Sequence, residues 1–232
     1  MPASTQINFK RVILIISEGP TEKISLENIL KKIYQDKRVK FQYIYGDITT
    51  KNGVSVNNIE AKIQEAIKAF IKRDKGFNKS DILKIIHLVD TDGCYIPDNK
   101  IIEDVSQSHF IYADENIIVN SRANCKSRNH GKAKILDYLI TLKKIWNIDY
   151  NFYYMSTNLD HVLHNDPNIL DSKKIEQASA FKEKYAGKEQ NFIQDLKKEK
   201  LIYEGSFEES WDYIKQGTNS LKRKTNINLA FK

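Results

Sequence analysis

The chain has 232 residues, 41% of them apolar, with 9 glycines, 4 prolines and a formal net charge of +7. That apolar share supports a real core, and the scarcity of glycine and proline excludes collagen-like, linker-like and low-complexity chains. The excess of 37 basic over 30 acidic side chains suits contact with polyanions, although lysine-rich solvated helix faces give the same surplus.

In chain order, "RVILIIS" (11–17) is a β-branched-rich run, the pattern of a strand covered on both faces. "PTEKISLENILKKIY" follows as a helix, with Pro20 in its first turn and an apolar stripe of Ile24, Leu26, Ile29, Leu30 and Ile33. "VKFQYIYG" (39–46) reads as a second strand, and Gly46 with "TTKNG" as a loop. Residues 57–74 keep helical spacing through Ile59, Ile63, Ile67 and Phe70. "ILKIIHLVD" (82–90) is a hydrophobic strand broken by "TDG", with His87 inside it as a core residue. Residues 96–115 read as irregular, and "NIIVNS" (116–121) as a short strand. "SRANCKSRNHG" reads as a polar loop, 132–146 as a helix, 150–156 as a strand and "NLDHVLHN" as a short helix. Helices are expected near 173–184, 189–199 and 207–216, before a basic tail "NSLKRKTNINLAFK".

Strands alternating with helices imply an α/β fold, a mainly parallel sheet with helices on both faces. Residues 1–165 form that core by this reading, and 166–232 a helical extension packed on it. Cys94 and Cys125 fit no CxxC or zinc pattern and read as free thiols of a reducing cytoplasm. The first ten residues lack a hydrophobic signal region, and no apolar run approaches the roughly 20 residues of a membrane span. A cytoplasmic protein with no membrane partner is therefore expected.

In open parallel sheets, sites form at the carboxyl ends of strands. Glu18 ends the first strand, Asp90 and Asp92 end the strand at 82–90, and Asp160 follows the strand at 150–156. Glu22 lies one helical turn beyond Glu18 and can look back to the same rim. Carboxylates gathered at close range repel one another, and a divalent cation relieves the repulsion. Hard oxygen donors suit Mg2+ or Mn2+, as one or two ions that activate water and stabilise a leaving oxygen in phosphodiester cleavage. Helix capping and turn formation account for any single one of these acids better than a site does; it is their succession at the ends of hydrophobic strands that points to a site.

Two of these stretches, a hydrophobic strand running into "EGPTE" and the later "IIHLVDTDG", resemble the signature motifs of the TOPRIM domain. The four-residue spacing of Glu18 and Glu22 is similar to the OLD-type nucleases. "MSTNLDHVLHND" resembles a segment of RloB-like TOPRIM proteins, with Ser156, Asn158, Asp160 and His164 in the matching places. It differs in having no proline before the acid, aspartate for glutamate, and no following tryptophan. The resemblance implies a TOPRIM-like sheet and a metal-dependent nuclease in which Glu18 is metal ligand or general base. By the same resemblance Asp90 and Asp92 hold the metal, Asp160 completes the site and Glu22 is an additional ligand. RloB-like and OLD-like proteins are linked to phage defence, which implies an abortive-infection role for a hydrolase of this kind.

His164 is a candidate proton donor or phosphate contact. Arg122, Lys126, Arg128, Lys132 and Lys134 are candidate phosphate contacts near the same rim, with an exposed polar loop as the alternative. The basic tail reads either as a nucleic-acid arm or as a docked segment. "SEGPTEKIS" fails the P-loop spacing, since it holds Gly19 alone. A non-catalytic nucleic-acid-binding or partner-sensing module, and nucleotide synthesis as in primases, stay open beside the nuclease. So do DNA against RNA, a partner protein encoded nearby and a homo-oligomer.

Overall fold

A computed structural model describes residues 11–34, 39–74 and 76–231. The expectations for the first ten residues lie outside that range.

The chain alternates β1 (Arg11–Ser17), α1 (Pro20–Tyr34), β2 (Val39–Tyr45), α2 (Ile59–Arg73) and β3 (Ile82–Asp90). Three short strands follow, β4 (Ile101–Glu103), β5 (Ile111–Tyr112) and β6 (Ile117–Val119). Then come α3 (Arg122–Thr141), β7 (Lys144–Ile145), β8 (Ile148–Met155) and α4 (Leu159–His164). The remainder supplies α5 (Asp171–Lys184), α6 (Phe192–Lys198) and α7 (Phe207–Ile214). The main sheet has the order β2-β1-β3-β8-β7, parallel but for β7. This is the α/β architecture expected from the alternation, Rossmann-like in its layering.

β1 explains the layers. Val12, Leu14 and Ile16 enter one core while Ile13 and Ile15 enter the other, as period-two geometry requires. The first core is closed by Ile59, Ile63 and Ile67 of α2, Leu136 and Leu139 of α3, and Trp211 and Ile214 of α7. The second is closed by Leu26, Ile29 and Leu30 of α1, by α4, and by Phe181, Phe192 and Leu196 of α5 and α6. The chain beyond residue 165 thus enters both cores. His87 is buried, and its Nδ1 meets the Tyr150 hydroxyl at 2.7 Å, as befits a core histidine. Tyr150, Phe152, Tyr153 and Tyr154 are buried as well.

β7 pairs only the first two residues of β8. The carboxyl end of that sheet edge is covered by the last stretch of chain. The Ser156 amide donates to the Lys224 carbonyl at 2.9 Å and the Tyr154 amide to Asn226 Oδ1 at 2.8 Å. Thr225 and Asn226 are fully buried, so this part of the tail is docked. Covering an edge satisfies its backbone groups and blocks strand addition.

Two local expectations are corrected. α3 begins at Arg122, ten residues before the expected start, capped by the Ser121 hydroxyl on the Asn124 amide. Its inward stripe opens with Cys125, Asn129 and Lys132, so the helical period is carried by polar residues that read as a loop. The segment 96–115, expected to be irregular, instead contributes β4 and β5, which join β6 in a separate small sheet. Cys94 and Cys125 are free and buried. Among the described residues no helix is long and apolar enough to cross a membrane.

Candidate functional site

α1 connects β1 to β2 in one direction, and α2 returns the chain across β1 to β3. The carboxyl ends of β1 and β3 therefore sit where the winding reverses, the place in a doubly wound sheet where a crevice opens. Glu18 follows β1 and Asp90 closes β3, and the Asp90 amide donates to Glu18 Oε1 at 3.1 Å.

Beyond Asp90 the chain leaves the strand. Asp92 and Gly93 take left-handed φ values of 49° and 63°. That turn ends the strand and leaves Asp92 at the rim, close to Asp90. Its backbone is held on both sides. The Asp92 amide donates to the Thr157 carbonyl at 2.7 Å, and Arg128 donates to the Asp92 carbonyl at 2.9 Å. Gly93 is required here for space as well as φ, since a Cβ would lie 2.6 Å from Leu221.

Glu22 has two roles. Its Oε2 accepts from the Gly19 amide and the Thr21 hydroxyl, both at 3.2 Å, closing the first turn of α1 as a capping carboxylate does. It also lines a cavity of about 330 Å3 together with Glu18, Asp90, Asn158, Asp160 and Lys174. Asp90 Oδ1 accepts from the Leu159 amide at 3.0 Å, tying the start of α4 to β3. Lys174 of α5 stands 3.8 Å from Asp160 and 3.0 Å from Asp171.

A neighbouring cavity of about 310 Å3 shares Glu18, Asp90, Asn158 and Lys174 and adds Asp92, Phe110 and Tyr112. A third, of about 320 Å3, lies along β8 among Tyr150, Phe152, Phe207 and Leu229, with no carboxylate in its wall. Their sizes are equivalent, so chemistry chooses between them: the carboxylates gather at the first two.

The rim is electrically frustrated. Burial pushes the Glu18 carboxyl up to about 8; Lys132 opposes the shift, and Asp92, Asp47 and Glu22 add to it. Burial, then Glu18, Glu22 and Asp92, hold Asp90 well above the usual carboxylate range. Glu22 is raised by burial against its hydrogen bonds, and Asp160 by burial against Lys174.

Lys132 is buried, and its Nζ lies 2.5 Å from Asp92, 3.4 Å from Glu18 and 3.9 Å from Asp47. Burial disfavours its charge, but Asp92, Glu18 and Asp47 outweigh burial and raise its pKa well above the usual lysine value. Asp47 shows the reciprocal effect. Burial alone would raise it, yet Lys132 and the Thr49 and Thr50 hydrogen bonds lower it. Glu18, Asp47 and Asp92 each present an oxygen within 4.8 Å of the others, and together they could hold a metal ion.

Of the expected residues, Glu18, Glu22, Asp90 and Asp160 meet at one cavity, and Asp92 joins Glu18 and Asp90 at the next. His164 lines neither; its ring packs edge-on against Phe181 at 5.7 Å. Among the expected phosphate contacts, Lys132 faces inward as a counter-charge and Arg128 lies over the Phe110 ring at 4.2 Å. Arg122 donates to the Asp98 carbonyl at 2.9 Å and Lys126 pairs with the Asp98 carboxylate at 2.8 Å. Lys134 is exposed.

Sequence reasoning missed Asp47 and Lys174. Asp47 carried the same signal as Glu18 and Asp90, an acid just past a parallel strand, but it sat in a stretch read only as a loop. Lys174 carried none, because nothing local in "DSKK" says which rim α5 will border.

Comparison with protein-family models, with curated proteins and with solved structures gives no match.

Proposed function

We propose that this chain is a metal-dependent phosphodiesterase that cleaves nucleic acid, built on a TOPRIM-like sheet. One observation carries the reading: Glu18, Glu22, Asp90 and Asp160, from three separate parts of the chain, line a single cavity at the carboxyl ends of parallel strands. Asp47 and Asp92 stand beside it.

The donor set suits Mg2+ or Mn2+, being all oxygen and hard. The charge balance supports the same conclusion. Glu18, Glu22, Asp47, Asp90, Asp92 and Asp160 face Lys132, Lys174 and Arg128, and the raised carboxyls are those on the side of the cavity. Glu18, Asp47 and Asp92 would hold one ion, and Asp90, Glu22 and Asp160 would extend the set toward a second. A bound ion there supplies Lewis-acid activation of water and of the phosphoryl group. The chain's own residues do the rest. The Leu159 amide fixes the Asp90 carboxylate, Lys132 fixes Asp92, and Lys174 offers an ammonium at the mouth to a phosphate oxygen. A cytoplasmic setting suits the two free thiols. The phage-defence role rests on the resemblance alone.

The test is direct. Purified protein with Mn2+ should cut oligonucleotides, and Glu18→Gln or Asp90→Asn should reduce the rate by about 10²-fold or more, the scale for removing one charge-stabilising group. Full activity in both folded variants would refute the assignment. Since Glu18 and Asp90 sit above their usual range, Mn2+ binding should also expel protons, visible as buffer-dependent heats in calorimetry.

One observation favours a second reading. The Lys132 ammonium already neutralises Asp92, as in a purely structural ion pair. In that case the chain binds nucleic acid or a partner without cleaving, and calorimetry should detect no Mn2+ affinity that Asp92→Asn removes.

A further inference from the structure

The second cavity at the rim has a different character from the first. One wall is acidic, formed by Glu18, Asp90 and Asp92; the other is aromatic, formed by Phe110 and Tyr112 at β5. We propose that this cavity seats the base of one unpaired nucleotide, with its phosphate at the edge shared with the acidic cavity. The inference rests on the phosphodiesterase reading for the chemistry at that edge, and it names the substrate class as single-stranded nucleic acid.

Three features support it. First, the aromatic wall is built into the acidic one. The Tyr112 hydroxyl donates to Asp92 Oδ1 at 3.4 Å, while Arg128 spans the Phe110 ring, the Tyr112 hydroxyl and the Asp92 carbonyl. A base lying on these rings would therefore have a fixed position relative to the carboxylates.

Second, the opposite lip is tied to the same strand. Asn168 accepts from the Tyr112 amide at 2.9 Å and donates to the Tyr112 carbonyl at 2.8 Å, taking the place of a neighbouring strand. The loop from Pro167 to Leu170 thereby becomes a fixed wall. Leu170 stands at that lip with 61% of its surface exposed, and Ile175 of the adjoining acidic cavity with 48%. Apolar side chains left in water beside a polar cleft suit the faces of bases better than they suit phosphates.

Third, the size agrees. About 310 Å3 is the low end of small-ligand pockets and admits a nucleotide, whereas a duplex would have to present its backbone across a far broader surface. Lys174 lines both cavities at their junction, where the phosphate of a seated nucleotide would lie. A base can reach this wall only if it is unpaired or flipped out.

The experiment uses full-length protein in Ca2+, which takes the same oxygen donors. It is titrated with DNA and RNA oligonucleotides that carry 2-aminopurine, each as a single strand and as a duplex of the same sequence. Single strands should bind at least about tenfold more tightly than duplexes, with quenched 2-aminopurine fluorescence as the base stacks. Phe110→Ala should remove the quenching and weaken binding by roughly 5- to 150-fold, the range for losing one stacked base. A preference for DNA or for RNA supports the inference either way and identifies the sugar. Equal or tighter duplex binding, no binding of any oligonucleotide, or an unchanged affinity in folded Phe110→Ala overturns it. Should Phe110→Ala unfold, Leu170→Glu on the exposed lip decides, with a loss of single-strand affinity expected and no change overturning. The two readings fail separately. Cleavage of duplex and single strand at equal rates would remove this inference and keep the hydrolase, while stacking without any cleavage would do the reverse.

Discussion

Glu18 concentrates the physics of the rim. Its carboxyl is pushed up to about 8 from an ordinary 4.5, chiefly by burial. Between those two values the folded chain binds more proton than the unfolded chain, so this group makes stability fall as pH rises from about 4.5 to about 8. Below 4.5 both states are protonated and its full contribution is present. In chelator-treated protein, Glu18→Gln should therefore melt higher than the parent at about pH 8, by several °C, since 1 kcal/mol moves Tm by about 2–4 °C in a chain of this size. The two melting curves should converge below about pH 4.5; a gap independent of pH would show that the carboxyl does not titrate as its surroundings dictate. Glu18 and Asp90 were legible in the sequence because each interrupts a hydrophobic run at the one point where a parallel strand must end. Lys132 was legible as a cation but not as a buried one. Its partners, Asp92 and Glu18, lie 40 and 114 residues away, and no local pattern encodes that meeting.

At the scale of elements, α4 shows how the chain beyond residue 165 steadies the rim. It is six residues long, too short to hold itself, and it carries Asp160. Arg223 donates to the carbonyls of His161 and Val162 at 2.9 to 3.1 Å and pairs with Glu199 at 2.8 Å, satisfying the orphan end of the helix. Arg223→Ala should cost about 1–3 kcal/mol in urea denaturation, and Arg223→Lys should recover little of it, because an ammonium lacks the planar fork. Equal stability of all three proteins would mean that α4 is held by packing alone. Elements with dense apolar periodicity, such as α2 and β3, could be read closely from the sequence. The first half of α3 could not, because its inward face is Cys125, Asn129 and Lys132, and a helix that buries polar groups to build a site looks like a loop. β4 and β5 escaped notice because strands of two or three residues are shorter than any periodicity test.

For the molecule as a whole, both cores draw on the chain before and after residue 165. Trp211 stacks on Phe152 of β8 with centroids 5.2 Å apart, and Phe181 and Phe192 close the opposite face. A single cooperative transition should follow. The chain has two tryptophans, one on each side of that point, so Trp146→Phe and Trp211→Phe each leave one reporter. Their urea midpoints, corrected for each substitution's own effect by circular dichroism, should coincide with the loss of helix; an earlier midpoint at Trp211 would mean that the extension melts by itself. The covered edge of β8 adds a matter of timing. Ser220 supplies the carbonyl that receives the Thr91 hydroxyl and the Thr157 amide, and Asn226 receives the Tyr154 amide. Ribosomes deliver chains from the amino end, so every acid of the rim has emerged before residues 220–226 exist to finish the turns that aim Asp92. A nascent chain therefore holds all the carboxylates before the contacts that fix Thr91 and Thr157 beside Asp92 exist.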